Sequence, residues 1–369
     1  MIDGVQTRLP MTRLNFASHP LLESLARLTF SAIEPDDASI HQLNREQFEE
    51  MLTLANSNHV VIRSMETLRG VWFAASDDER CEWATEALEN ERFRITRAVS
   101  YLNQIRQALV AEGCDVTVIK SLDHWPDLGS DLDLYTNADP SNVIRAFSRR
   151  FKAEISERSW GDRLAHKWNF VVPGLPELVE VHVGRLGQTG ELVRFGSSLP
   201  GRSRSVNIAD QVFNVPAAED RLIICTLQRM YRHFYIRLCD IVDTVQLLET
   251  QGVDYDDLHA TAEESGTWEG VATFLVIVSD CAEHWRGRRV ELPSLVRSAA
   301  RFGADQITFA RSFLRVPILP HSVRLYASEW TTLMSQGQLR NTARLSLLPW
   351  LATAAALGYK LTGSDKGIW

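Results

Sequence analysis

The stretch CDVTVIK, SLDHWPDLGS, DLDLY, running from Cys114 to Tyr135, decides the fold. Its first seven residues are rich in β-branched side chains and predict a buried strand, and DLDLY alternates acid with apolar residue at strand period. Alternation places Asp131 and Asp133 on one face, with Leu132 and Leu134 turned to the core. Two carboxylates side by side repel and raise each other's pKa unless a positive group lies between them. A hard divalent cation is the partner this pattern predicts. On that reasoning Asp133→Asn relieves repulsion and raises the melting temperature of the metal-free protein.

A third acid follows in LVEVHVG, Leu178 to Gly184, where Glu180 and His182 share one face and Val179, Val181 and Val183 the other. If this run pairs beside DLDLY, Glu180 completes a cluster of three carboxylates, the ligand type Mg²⁺ prefers while keeping waters and substrate phosphates.

This arrangement of a strand, a turn, an acid-x-acid strand and a later strand with a third acid resembles the polymerase-β-type nucleotidyltransferase superfamily. Within it, the sequence resembles the branch of uncharacterised nucleotidyltransferases, which carries Lys-Gly at the turn, an Asp-x-Asp strand and an acid-x-His pair. The likeness takes in VEVHV and the later RMYRHFYIRLCDIVDTVQLL, and Ser121 stands where the branch has glycine. The resemblance implies transfer of a nucleoside monophosphate from a nucleoside triphosphate to an acceptor, with release of pyrophosphate. It implies that Asp131 and Asp133 hold two Mg²⁺ (or Mn²⁺) ions, and that Glu180 binds the ion that activates the acceptor hydroxyl. Lys120, Ser121, Ser130 and Arg237 are then the contacts to the triphosphate, with Arg232 as the alternative to Arg237. The acceptor stays open among a small molecule, a peptide, a protein side chain and an RNA end.

Outside this core the pattern is helical. LLESLARLTFSAI, REQFEEMLTLANSNHVVIRSMETLRGVW and ERFRITRAVSYLNQIRQALVAEG precede it, the last with Phe93, Ile95, Val99, Leu102, Ile105 and Leu109 at helical spacing and Gly113 to end it. Asp139-Pro140-Ser141 starts a helix with Val143, Ile144, Phe147 and Phe151 on one face. KAEISER and HKWNFVVP are further strands, and Arg163, His166 and Lys167 between them read as a mobile polar loop, with phosphate binding as the alternative. Glu219 to Glu249 is too long for one uncapped helix, so a break is expected near His233 to Tyr235, and Arg237 with Asp240 reads as a helix pair. His233 reads as a structural histidine. The expected fold is α+β, with a small mixed sheet as nucleotidyltransferase core (113–215) between an N-terminal helical region (1–112) and a C-terminal helical domain (216–369).

The 369 residues are 45% hydrophobic with a net charge of −8, which argues against general nucleic-acid binding. The five cysteines contain no CxxC, so neither a zinc knuckle nor a disulfide framework is indicated, and a reducing cytoplasm is the expected compartment. Acid at Asp3 with no apolar core behind it does not fit a secretory signal. LSLLPWLATAAALGY, Leu345 to Tyr359, is uncharged but short and interrupted by Pro349. It reads as a docked helix, with a lipid-facing surface as the alternative. Two other functions fit parts of the pattern. A metal-dependent glycosyltransferase also uses Asp-x-Asp, but places several βα units ahead of it, and a non-catalytic nucleotide-binding protein could use the same scaffold.

Overall fold

Five strands make the central sheet of the computed structural model, which describes residues 14–32, 38–351 and 353–354: β1 (Thr117–Val118), β2 (Asp131–Thr136), β3 (Glu154–Ile155), β4 (Lys167–Val171) and β5 (Leu178–Val183). Their order is β1-β2-β5-β4-β3. β2 and β5 run parallel and every other neighbour is antiparallel, so the fold is α+β with a small mixed sheet. Leu132, Leu134, Val179 and Val181 are fully buried on one face, as the alternation requires. β1 is shorter than its apolar run because the chain turns sharply at Lys120, whose φ is +65° and ψ −57°.

Only helices precede β1 among the described residues: α1 (Pro20–Thr29), α2 (Ala38–His41), α3 (Arg45–Asn58), α4 (Val61–Ala74) and α5 (Asp78–Ala111). That order lacks the βα units a glycosyltransferase places ahead of its acid pair. In α5, Ile95, Val99, Leu102, Ile105 and Leu109 are buried, whereas Phe93 is 71% exposed beneath the Arg97 guanidinium. Phe93 sits two residues before Ile95, about 200° round the helix at 3.6 residues per turn, so it leaves the stripe. Gly113, at φ +78°, ends the helix as expected.

The parallel pairing of β2 with β5 needs a crossover, and α6 (Pro140–Phe151) begins it. Asp139 caps the helix by accepting from the Ser141 amide at 2.8 Å. Phe147 seats it on the sheet, its ring stacked 3.9 Å from that of Phe170 in β4. The expected polar loop is instead α7 (Trp160–Leu164), closed by a Ser159–Asp162 capping box and running directly into β4. Lys167 is 5% exposed there.

The remaining elements are α8 (Val193–Arg202), the hairpin β6 (Arg204–Ile208) and β7 (Gln211–Val215), α9 (Ala218–Thr226), β8 (Tyr235–Ile236), α10 (Leu238–Thr250), α11 (Tyr255–Glu264), α12 (Trp268–Arg286), α13 (Ser294–Ala299), β9 (Thr308–Ala310), β10 (Phe313–Arg315), α14 (Val323–Ser335) and α15 (Leu339–Leu345). α9 widens into a π-helical turn, Leu227–His233, and Phe234 at φ +52° breaks the chain where a break was expected. Asp240 pairs with the buried Arg229 at 2.7 Å, and Arg237 meets it only through its backbone amide. No described helix is long and apolar enough to cross a membrane. Residues 1–13, with Asp3, and the 355–359 end of the apolar run lie outside the described residues.

Candidate metal and phosphate site

Register brings the acids together. In the β2–β5 ladder Asp133 lies opposite Glu180 and Tyr135 opposite His182, while β4 sets Lys167 opposite His182 and Asn169 opposite Glu180. One face of the sheet therefore carries Asp131, Asp133, Glu180, His182 and Lys167. A ligand atom of each of Asp133, Glu180 and His182 lies within 4.8 Å of the other two. Asp131 stands one residue pair further along the same face.

Two lysines already hold this cluster. Lys120 Nζ forms an ion pair with Asp133 Oδ1, and Lys167 Nζ bridges Glu180 Oε1 at 2.9 Å and Asp162 Oδ1 at 3.0 Å. At Asp133 the lysine therefore offsets the repulsion, and the basis for expecting Asp133→Asn to stabilise the metal-free chain is removed. The substitution would leave Lys120 half-buried without its counter-charge. Burial would raise the pKa of Asp133, but the Lys120 ammonium beside it outweighs burial and holds the carboxyl well below the usual range. Asp131 differs: burial, then the charges of Glu180 and Asp133, push it up to about 6. Burial also lowers His182, so its imidazole is neutral, 3.7 Å from Asp133 Oδ1 and with no hydrogen-bond partner on either ring nitrogen.

This donor set fits one divalent cation. Two carboxylates and a neutral, unpartnered imidazole converge, and the imidazole inclines the set toward Mn²⁺ relative to Mg²⁺. Lys167 Nζ, held by Asp162 as well, takes one oxygen of Glu180, Oε1, and leaves that carboxylate its other oxygen for an ion.

The turn that delivers Lys120 is strained. Ser121 N donates to Ile119 O at 2.7 Å, closing a γ-turn whose centre is Lys120 in the left-handed region. Ser121 Oγ accepts from Asp133 N at 2.7 Å and donates to Asp131 O at 3.2 Å. With its hydroxyl spent on backbone and 2% exposure, Ser121 ties the turn to β2 and does not face the cavity. Ser130 is exposed, its hydroxyl donating to Asp131 Oδ2 at 3.3 Å.

Above the acids lies a cavity of about 150 Å³, lined on one side by Lys120, Asp131, Asp133, Lys167, Glu180 and His182. Across it stand Gln188 and, from α9 and the π-turn, Ile224, Gln228, Arg232 and His233. Of the two arginines weighed for phosphate, Arg232 lines the cavity and Arg237 does not. A π-turn widens the helix and brings extra side chains to one side, a device frequent at functional sites. Gln188 Nε2 donates to Leu227 O at 3.1 Å and joins the two walls. Gln188 and Gln228 escaped the sequence reading because neither sits in a motif.

A second group, His124, Cys239 and Asp243, brings one ligand atom of each within 4.8 Å of the other two. Asp243 binds His124 Nδ1 at 2.5 Å and Arg63 at 2.7 Å, while Cys239 Sγ stands 4.0 Å from Nε2. Both Asp243 oxygens are thus already paired, one with His124 and one with Arg63.

No family model and no curated relative matches the chain. Among solved structures, an antigenic nucleotidyltransferase-like protein from Paracoccidioides brasiliensis aligns with a TM-score of 0.31 and 14% identity, over 53% of this chain and 94% of that one. The functional reading therefore rests on the site itself.

Proposed function

We propose that the chain is a metal-dependent nucleotidyltransferase, moving a nucleoside monophosphate from a nucleoside triphosphate to an acceptor and releasing pyrophosphate. The observation that carries this reading is the in-register pairing of Asp133 with Glu180, which gathers three acids, a neutral histidine and Lys120 around one cavity opposite Arg232. Asp131, Asp133 and Glu180, with His182, would hold the Mn²⁺ or Mg²⁺ ion. Such an ion lowers the pKa of an acceptor hydroxyl and neutralises charge on transferring phosphate. Lys120 suits the triphosphate as a point charge and Arg232 as a planar fork. Lys167 fixes the Glu180 carboxylate, and Ser121 fixes the turn that aims Lys120.

Incubating the full chain with each α-labelled triphosphate and Mn²⁺ or Mg²⁺ tests the proposal. Pyrophosphate release or a labelled product, abolished by Glu180→Gln, is the expected result. Thermal shift against nucleotide-sugars separates the glycosyltransferase alternative. Absence of any metal-dependent stabilisation by triphosphates would overturn the proposal. The lysine pairs on Asp133 and Glu180 favour one second reading, a non-catalytic nucleotide-binding protein, which predicts nucleotide binding without turnover and without need of metal.

A further inference from the structure

β8 and β10 pair antiparallel with Tyr235 opposite Arg315 and Ile236 opposite Leu314. Alternation sends Ile236 and Leu314 into the core, where they are 0% and 1% exposed, and puts Tyr235, Arg237, Phe313 and Arg315 together on the other face. That face is a checkerboard of two aromatics and two arginines. The Tyr235 and Phe313 rings stack at 4.4 Å, the Arg237 guanidinium lies 5.5 and 5.7 Å from their centroids, and that of Arg315 lies 5.4 and 5.5 Å away. Arg229 adds a third cation 5.6 Å from the Tyr235 ring.

The charges here do not balance. Asp240 supplies the nearby carboxylate, and it is consumed by Arg229 at 2.7 Å. Arg237 and Arg315 have no carboxylate partner among the described residues. Arg237 Nε is buried with no acceptor, and Arg315 Nε donates only to Ala310 O at 3.1 Å. His59, whose Nε2 is unpartnered, is close enough to Arg237 and Arg229 to feel both charges. Two half-buried guanidiniums left over in a chain of net charge −8 are a local excess that ring faces offset only in part. The face is also continuous with the cavity: the His233 ring, which lines it, is 5.4 Å from the Tyr235 ring.

We propose that Arg237 and Arg315, on their aromatic pair, form an anion subsite that takes a phosphate group carried by the acceptor. Planar guanidiniums bind phosphate oxygens bidentately, and aromatic stacking fixes their planes beforehand. The acceptor assignment rests on the transferase reading, whereas anion binding at this face does not.

The test is calorimetric titration of the full chain with inorganic phosphate at low ionic strength, without nucleotide or divalent metal, with acetate as the carboxylate arm. Arg237→Gln/Arg315→Gln is expected to weaken phosphate binding tenfold or more, with Arg237→Lys/Arg315→Lys intermediate. Arg315→Gln alone gives the same direction where the double variant does not fold. Failure of wild type to bind phosphate overturns the subsite, as does equal binding by the Gln variants. Loss in Lys120→Ala alone returns the anion to the metal-side cavity and overturns it too. Acetate binding as tightly as phosphate overturns the choice of phosphate. Because neither metal nor triphosphate is present, a failed transferase assay leaves these outcomes readable.

Discussion

Glu329 in α14 offers the sharpest check on the packing around the cavity. It is fully buried, neither carboxyl oxygen receives a hydrogen bond from a described donor, and the charge acting on it is that of another buried acid, Glu191. Glu191 is already satisfied by the Gln188 amide at 2.8 Å and the Thr189 amide and hydroxyl at 2.7 and 2.9 Å. Burial raises Glu191 too, but those donors oppose the rise and Glu329 has none of its own, so the shared proton belongs on Glu329. Burial first, and Glu191 second, raise Glu329 well above its ordinary value of 4.5. The other titratable groups around it, Tyr231 and Tyr326, bring no positive charge, and both are themselves raised.

The sign follows from linkage. The folded state keeps a proton the unfolded chain loses above about 4.5, so stability falls as pH rises from there toward the folded pKa. Each pH unit inside that window costs about 1.4 kcal/mol. Glu329→Gln keeps the shape and the donor toward Glu191 but cannot ionise. Urea unfolding at constant ionic strength, at half-unit steps from pH 5 to 8, should show wild type losing about 1.4 kcal/mol per pH unit relative to the variant, until its slope levels. Curves that stay parallel across the whole range would refute the proton-sharing pair.

Other consequences are equally specific. Lys167→Met leaves Glu180 and Asp162 unpaired and should destabilise the metal-free chain by about 3–5 kcal/mol, with Mn²⁺ recovering part of the loss; a Mn²⁺ response equal to wild type in thermal shift would dissociate Lys167 from the metal face. Lys120→Gly and Lys120→Ala both remove the ammonium, but only glycine relaxes the left-handed turn, so the glycine variant should be the more stable by about 1–2 kcal/mol; equal urea midpoints would mean the turn stores no strain. Since Asp131 titrates at about 6 and must be ionised to bind a cation, Mn²⁺ affinity followed by electron paramagnetic resonance should fall as pH drops through that value, and a flat profile from pH 5 to 7 would take Asp131 out of the ligand set.

What the sequence disclosed and what it hid differ in range. Asp131, Asp133 and Glu180 were legible because strand period fixes a face locally and the β2–β5 register needed only one pairing guess. Lys167 was misread because its burial depends on β4 being an inner strand with Asp162 beside it, neither of which is written in Arg163 to Lys167 as a string. The checkerboard of Tyr235, Arg237, Phe313 and Arg315 was invisible for the same reason, its halves lying some eighty residues apart on strands too short to show a period. Ser121 was read as a phosphate contact from its place in the turn. Its hydrogen bonds show it spent on the backbone that makes the turn.

The lysines also change the thermodynamics of loading. Under the proposed function, Asp133 is stabilised as an anion by Lys120, so a cation that takes Asp133 Oδ1 would displace an ammonium from a half-buried pair, at a cost that water alone repays poorly. A polyphosphate alters that balance, because it gives Lys120 a new anion to face in the same cavity while Arg232 stands on the opposite wall. The free energy of freeing Asp133 is then shared between two ligands, and by reciprocity each strengthens the other's binding by the same factor. Lys167 has no such exit: it is buried between Asp162 and Glu180, and no phosphate on the cavity side can replace two carboxylates at once. Under the proposed function one lysine would thus be a gate that a phosphate-bearing ligand opens, whereas the other is a fixed charge that holds Glu180 in place whether or not the cavity is filled.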